Sequence, residues 1–91
     1  MNSLVISYDI VADSTSADVY TRLYEAIKGY GTWAHITESC WAIKTDCSAV
    51  DVRNNLLGII RSTDRLFVVQ TAHIAAWNNT LCRNDWLKEN I

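Results

Sequence analysis

Hydrophobic and polar residues alternate in three segments of the chain, which are residues 3–9, 33–37 and 40–45. A period of two places successive side chains on opposite faces, so each segment is predicted to be a β-strand. A two-residue turn is predicted between the second and third of these strands. A fourth segment, "DRLFVVQT" at 64–71, is apolar on both sides. It predicts a strand that leaves neither face fully exposed.

Apolar residues recur at helical spacing in two further segments, residues 16–28 and 49–60. Ser16 is predicted to be the N-cap of the first helix, because its hydroxyl can accept a bond from the first turn. Ser48 and Asp51 have the spacing of a capping box, with Asp in place of the usual Glu, and predict the start of the second helix.

The resulting order, strand, helix, strand, strand, helix, strand, is the ferredoxin-like split βαββαβ pattern. It predicts one α+β domain over residues 1–91, with a four-stranded antiparallel sheet and both helices on one face. Residues 73–91 form a short C-terminal tail, predicted to hold one or two helical turns. The tail is expected to dock on the body through its largest apolar side chains, Trp77, Trp86, Leu87 and Ile91.

One face of the sheet is predicted to receive the two helices. In the first strand the helix-facing set is Leu4, Ile6 and Tyr8, and in the hairpin it is Ile36, Trp41 and Ile43. The residues assigned to the open face are Val5, Ser7, Asp9, Trp33, His35, Cys40, Ala42 and Lys44. This assignment is a choice, because a slip of one residue inverts a strand.

The open face is expected to be apolar enough to require a partner. Four Trp and four Tyr residues are more than a domain of 91 residues can bury fully. Because monomers rarely expose large apolar patches, we expect a homodimer formed through the open face or by edge-strand pairing. Val5, Trp33 and Ala42 are the residues predicted to lie in its interface.

The charge of the chain argues against strong non-specific DNA binding by a monomer. The net charge is −2, from 8 Lys and Arg against 10 Asp and Glu, and the basic residues form no run. Phosphate backbones are bound by clustered cations, which a dimer could still assemble along one edge. RNA, DNA and protein therefore remain candidate partners.

The sequence also indicates a cytoplasmic protein with no membrane partner. Residues 1–3 lack the basic segment of a signal peptide, and no stretch approaches the about 20 apolar residues of a membrane span. The three cysteines, Cys40, Cys47 and Cys82, are odd in number and lack C-x-x-C spacing. They are read as reduced thiols rather than as zinc ligands or disulfides.

Asp9, which ends the first strand, is the leading candidate for chemistry. An aspartate at that place is either a turn residue or a catalytic carboxylate. Ser7 and His35 are the weaker catalytic candidates, because both are assigned to the same face as Asp9. Strand packing for Ser7 and an interface hydrogen bond for His35 are the structural alternatives.

The chain resembles the CRISPR-associated small adaptation subunit and its superfamily, and most closely the stand-alone SinR-like bacterial members. The similar features are "VISYDI", "EAIKGYGTWAHITESCWAIKTD", and a late "AAW" followed by "DWLKENI", which together cover nearly the whole chain. The resemblance implies the ferredoxin-like fold. For Asp9 it implies a position near a dimer axis, where two copies hold one magnesium ion.

The superfamily includes metal-dependent ribonucleases, a toxin-type ribonuclease, an antitoxin that cleaves messenger RNA, and dimeric scaffolds. Three readings therefore stay open. The first is a magnesium-dependent endoribonuclease that uses paired Asp9 residues. The second is a non-catalytic protein-interaction module, such as an antitoxin, immunity or defence-accessory protein. The third is a dimeric scaffold within a nucleic-acid complex.

Overall fold

The structure, a computed structural model, describes residues 1–91. The elements in chain order are β1 (Asn2–Asp9), α1 (Ser16–Lys28), β2 (Thr32–Thr37), β3 (Cys40–Thr45), α2 (Ala49–Leu57), β4 (Arg65–Gln70) and α3 (Asn84–Asn90). The four strands form one open antiparallel sheet in the order β2-β3-β1-β4. The predicted α+β class is confirmed, and the sheet is compatible with a ferredoxin-like fold. None of the three helices is both long and apolar enough to cross a membrane.

The core lies between the sheet and the helices α1 and α2. As predicted, β1 and β3 contribute alternate residues to it, and α1 and α2 contribute their apolar stripes. The fully buried members are Leu4, Ile6, Leu23, Ile27, Ile43, Val52 and Leu56, with Trp41 1% exposed. This core fixes which side of the sheet is left for other contacts.

The helix boundaries follow the sequence signals in part. The predicted capping box is confirmed, because Ser48 Oγ accepts from the backbone of Asp51 at 3.1 Å and the Asp51 carboxylate accepts from the backbone of Ser48 at 3.2 Å. The predicted N-cap is wrong. Helix α1 begins at Ser16 with Thr15 in the N-cap position, and Ser16 Oγ instead donates to the Asp13 carbonyl. Helix α2 ends at Leu57, three residues before the predicted end.

The predicted orientation of β2 is wrong. Trp33 lies opposite Ile43, and His35 lies opposite Trp41, so both side chains share the helix-packed face. The His35 ring stacks on Trp41 with a centroid distance of 4.1 Å and an interplanar angle of 11°. Ile36, predicted to join the core, is half-buried at a register shift between His35 and Thr37.

The C-terminal segment covers half of the face that was expected to be open. Leu87 of α3 is 2% exposed, which confirms that the tail docks on the body. Ser3 Oγ donates to the Asn90 carbonyl, and the backbone N–H of Leu81 donates to the Ile36 carbonyl at 2.9 Å. Ala42 is fully buried within the chain, so its predicted place in an exposed dimer interface is wrong.

Candidate functional site

Asp9 is an exposed carboxylate at the end of β1. Its side chain is 67% exposed, and Oδ2 lies 3.0 Å from Nη1 of Arg65. Arg65 occupies the position directly opposite in β4, so the ladder itself sets this pair. Both side chains are open to solvent, and such pairs stabilise a fold by at most about 1 kcal/mol. The Asp9 carboxylate is therefore available to a ligand.

The structure brings Ser7 close to Asp9 but places His35 elsewhere. Ser7 is half-buried on the same face as Asp9, opposite Phe67 of β4. Nε2 of His35 lies 3.1 Å from the Glu38 carbonyl on the other face of the sheet. The expectation that His35 shares a face with Asp9 is wrong, because β2 presents that side chain to Trp41.

An apolar surface lies beside Asp9 on the half of the sheet that the tail leaves uncovered. It consists of Val5, Phe67 and Val69, and we refer to it as the β4 patch. Phe67 is 63% exposed and Val69 is 40% exposed, although both belong to a strand. Val5 pairs directly with Val69. Of the three residues predicted for a dimer interface, Val5 alone lies in this patch.

A charged cluster that the sequence did not indicate holds the loop after Asp9. The Asp64 carboxylate accepts from the backbone of Val11 at 2.9 Å and from the backbone and guanidinium of Arg61. Arg61 also donates to the Asp13 carboxylate. These bonds join residues 10–15 to the α2–β4 connection. Asp and Thr are ordinary loop residues, so no local signal indicates that the two loops meet.

This cluster is expected to be intact at neutral pH and to weaken in acid. The Arg61 guanidinium lowers the pKa of Asp64, and likewise of Asp13, from 3.8 to about 2. A lowered folded-state pKa stabilises the fold above pH 3.8, and this contribution is lost as the pH falls from 3.8 towards 2. Urea unfolding of the wild type and Asp64→Asn at pH 5, 3 and 2 measures it. The wild type should lose more stability than the variant over this interval, and equal losses would contradict the assignment.

A separate cluster, made of aromatic residues, lies between the sheet and α1. Trp41 Nε1 donates to the Tyr8 hydroxyl at 2.9 Å, and that hydroxyl donates to the Glu38 carbonyl at 2.9 Å. Burial raises the pKa of Tyr8 well above its usual range, so its phenol stays protonated. Burial also raises the pKa of the Cys40 thiol, which disfavours a reactive thiolate. Tyr8 therefore acts in packing, as its predicted core position implies.

A groove of about 470 Å³ runs along the free edge of β2. The residues that line it are Trp33, Ala34, His35, Leu81, Cys82, Arg83 and Trp86. The tail contributes four of these residues and β2 contributes the other three, so docking of the tail creates the groove. We refer to it as the β2 groove.

Within the chain, no three His, Cys, Asp or Glu side chains are grouped as metal ligands. A search with protein-family models and a search of curated proteins each found no match for this chain.

Proposed function

We propose that this protein is a small, dimeric, cytoplasmic nucleic-acid-associated protein with the ferredoxin-like fold of the CRISPR adaptation-subunit superfamily. We further propose that paired Asp9 residues make it a magnesium-dependent endoribonuclease. The observation that carries the proposal is the exposed Asp9 carboxylate beside the apolar β4 patch. The residue expected to do chemistry and the surface expected to dimerise are thus adjacent.

A two-fold contact over the β4 patch would bring two copies of Asp9 towards one axis. Phe67 lies opposite Ser7, and Asp9 is two residues further along β1, a rise of about 7 Å. Burying Phe67 and Val69 against a second copy removes apolar surface from water, at about 25 cal/mol per Å².

The residues at this position fit an oxygen-ligated cation best as a pair. Magnesium is held by one or two carboxylates and keeps several water ligands. Two Asp9 carboxylates meet that requirement, with the Ser7 hydroxyl on the same face. When bound, the ion would supply an activated water and charge stabilisation for phosphodiester cleavage. Arg65 offers a cation for the substrate phosphate next to each carboxylate.

Asp9→Asn is expected to abolish magnesium-dependent cleavage of single-stranded RNA. The amide keeps the shape of the side chain and can still accept a bond from Arg65, but it removes the charge that binds a cation. The dimer should persist or tighten, because like-charge repulsion between the two carboxylates is relieved. The measurement is cleavage of a labelled RNA by the wild type, Asp9→Asn and Asp18→Asn, with EDTA as a further control.

Asp18 is the matched control, because it is an exposed carboxylate in the first turn of α1 and away from the β4 patch. Its variant should cleave as the wild type does. Equal cleavage by Asp9→Asn and the wild type would assign Asp9 to its pair with Arg65 alone. A folded wild-type dimer that cleaves no RNA would remove the nuclease proposal.

The second candidate function is a non-catalytic protein-interaction module. A specific observation favours it, since Phe67 exposes 63% of its surface in a chain of net charge −2 that lacks a basic run. An apolar patch in an acidic chain suits a protein surface better than a phosphate backbone. A wild-type protein without cleavage activity whose β4 patch binds a different protein would support this candidate.

A further inference from the structure

The β2 groove combines aromatic walls with a cationic rim. Trp33 is 37% exposed although its ring packs at a tilt against Trp41, with ring centroids 5.4 Å apart. Trp86 is half-buried and lines the same groove from α3. Lys28 Nζ lies 5.1 Å from the Trp33 ring centroid, and Arg83 lies on the tail side. The groove therefore offers indole surface and the Arg83 guanidinium, with the Lys28 ammonium beside it at Trp33.

We propose that the β2 groove binds one nucleotide of a single-stranded RNA. The base lies against the indoles of Trp33 and Trp86, and the adjacent phosphate is bound by Arg83 and Lys28. The inference rests on the proposed function in taking nucleic acid as the ligand, but it concerns a different site from Asp9.

The indoles account for the choice of a base as ligand. Every nucleobase has a π-face, and stacking on aromatic side chains is a common way to bind single strands without sequence preference. The groove volume of about 470 Å³ lies in the range of small-molecule sites. Leu81 is 63% exposed in the same groove, so the surface that a base would cover is apolar as well as aromatic.

The cations account for the choice of a phosphorylated ligand. Nη2 of Arg83 lies 3.3 Å from Asp85, and both side chains are largely exposed, so water screens this pair. A phosphate can accept two parallel bonds from the guanidinium fork, which is a stronger contact. Asp85 is the carboxylate that pairs with Arg83 at this rim. A substitution that removes this carboxylate should strengthen phosphate binding by Arg83.

The position of the groove allows it to be tested apart from cleavage. The strand order puts β2 and β4 at opposite edges of the sheet, three strand spacings or about 14 Å apart. The groove and Asp9 are therefore separate sites. Because EDTA removes any magnesium-dependent reaction, RNA binding measured in EDTA is independent of cleavage.

The experiment is a fluorescence-anisotropy titration of a 3′-labelled eight-nucleotide oligouridylate in EDTA. Trp33→Ala and Arg83→Gln should each weaken binding by about tenfold or more, as expected for loss of one stacking or charged contact. For Arg83→Gln the dependence of affinity on salt should also fall by about 0.7 in slope, the value for one phosphate of a single strand. The matched control Arg53→Gln changes the same residue type as Arg83→Gln outside the groove and should bind as the wild type does.

The outcomes separate the two proposals. Weakened binding in Arg83→Gln, with an unchanged circular dichroism spectrum, supports the groove even where Trp33→Ala disturbs the fold. Binding without cleavage supports the groove and removes the nuclease proposal. Cleavage with binding unaffected by Arg83→Gln overturns the groove and leaves the nuclease. Absence of RNA binding, or a dimer that dissociates on Trp33→Ala and so identifies a second copy as the occupant, also overturns it.

Discussion

Replacing Trp41 with alanine is expected to lower the free energy of unfolding by about 3–5 kcal/mol. Trp41 is 1% exposed and lies between the His35 ring and the core, so truncation leaves a large cavity. It also removes the donor at 2.9 Å from the Tyr8 hydroxyl. Small domains are stable by about 5–15 kcal/mol, and a loss of this size takes much of that margin. Urea unfolding followed by circular dichroism measures the change.

Two companion variants separate volume from hydrogen bonding. Trp41→Phe keeps most of the ring but lacks the N–H, so it should cost less, with about 1 kcal/mol assigned to the lost bond. Trp33→Ala should also cost less than Trp41→Ala, because Trp33 is already 37% exposed. A loss for Trp41→Ala no larger than for Trp33→Ala would contradict the central position of Trp41.

The strand β3 could be oriented from the sequence, whereas β2 could not. In β3 the bulky residues Trp41 and Ile43 fall on one phase, with Cys40, Ala42 and Lys44 on the other. In β2 each phase carries one bulky apolar residue, so alternation does not choose between them. The stacking of His35 on Trp41 selects the observed phase. That contact is between two strands, so the sequence of β2 alone gives no signal of it.

The position of the tail could likewise be predicted only in part from the sequence. Its large apolar residues correctly predicted that it docks on the body, but not on which face. Docking depends on backbone bonds such as Leu81 to Ile36 and on the burial of Leu87 against the sheet. These contacts bury Ala42 and create the β2 groove, so both results depend on long-range packing.

The candidate site was predictable in the part that β1 alone determines. The alternation of β1 placed Ser7 and Asp9 on one face, and they lie there in the structure. The partner of Asp9, Arg65, depends on the register of β4, which the sequence did not specify. The Arg61–Asp64 cluster joins two loops whose proximity comes from the fold. Side-chain type and period therefore identify candidates, and register decides which of them meet.

Phe67→Asp is expected to convert a wild-type dimer into a monomer at micromolar concentration. The substitution puts a charge in the β4 patch, where a second copy would remove it from water without an opposite charge to pair with. The fold should tolerate the change, because Phe67 is 63% exposed within one chain. Sedimentation or light scattering should change from twice the chain mass of 10.3 kDa to that mass.

Val50→Asp is the matched control for this variant. Val50 is likewise an exposed apolar residue, at 54%, but it lies in the first turn of α2, where an acidic residue is favourable. That variant should stay dimeric, and a monomeric wild type would remove the β4 patch as a self-association surface. If Asp9 acts as a pair, Phe67→Asp should also lose RNA cleavage while Asp9 itself is unchanged, because separated chains offer one carboxylate each. Cleavage by a fully monomeric Phe67→Asp would show that one Asp9 is sufficient and that the dimer has another role.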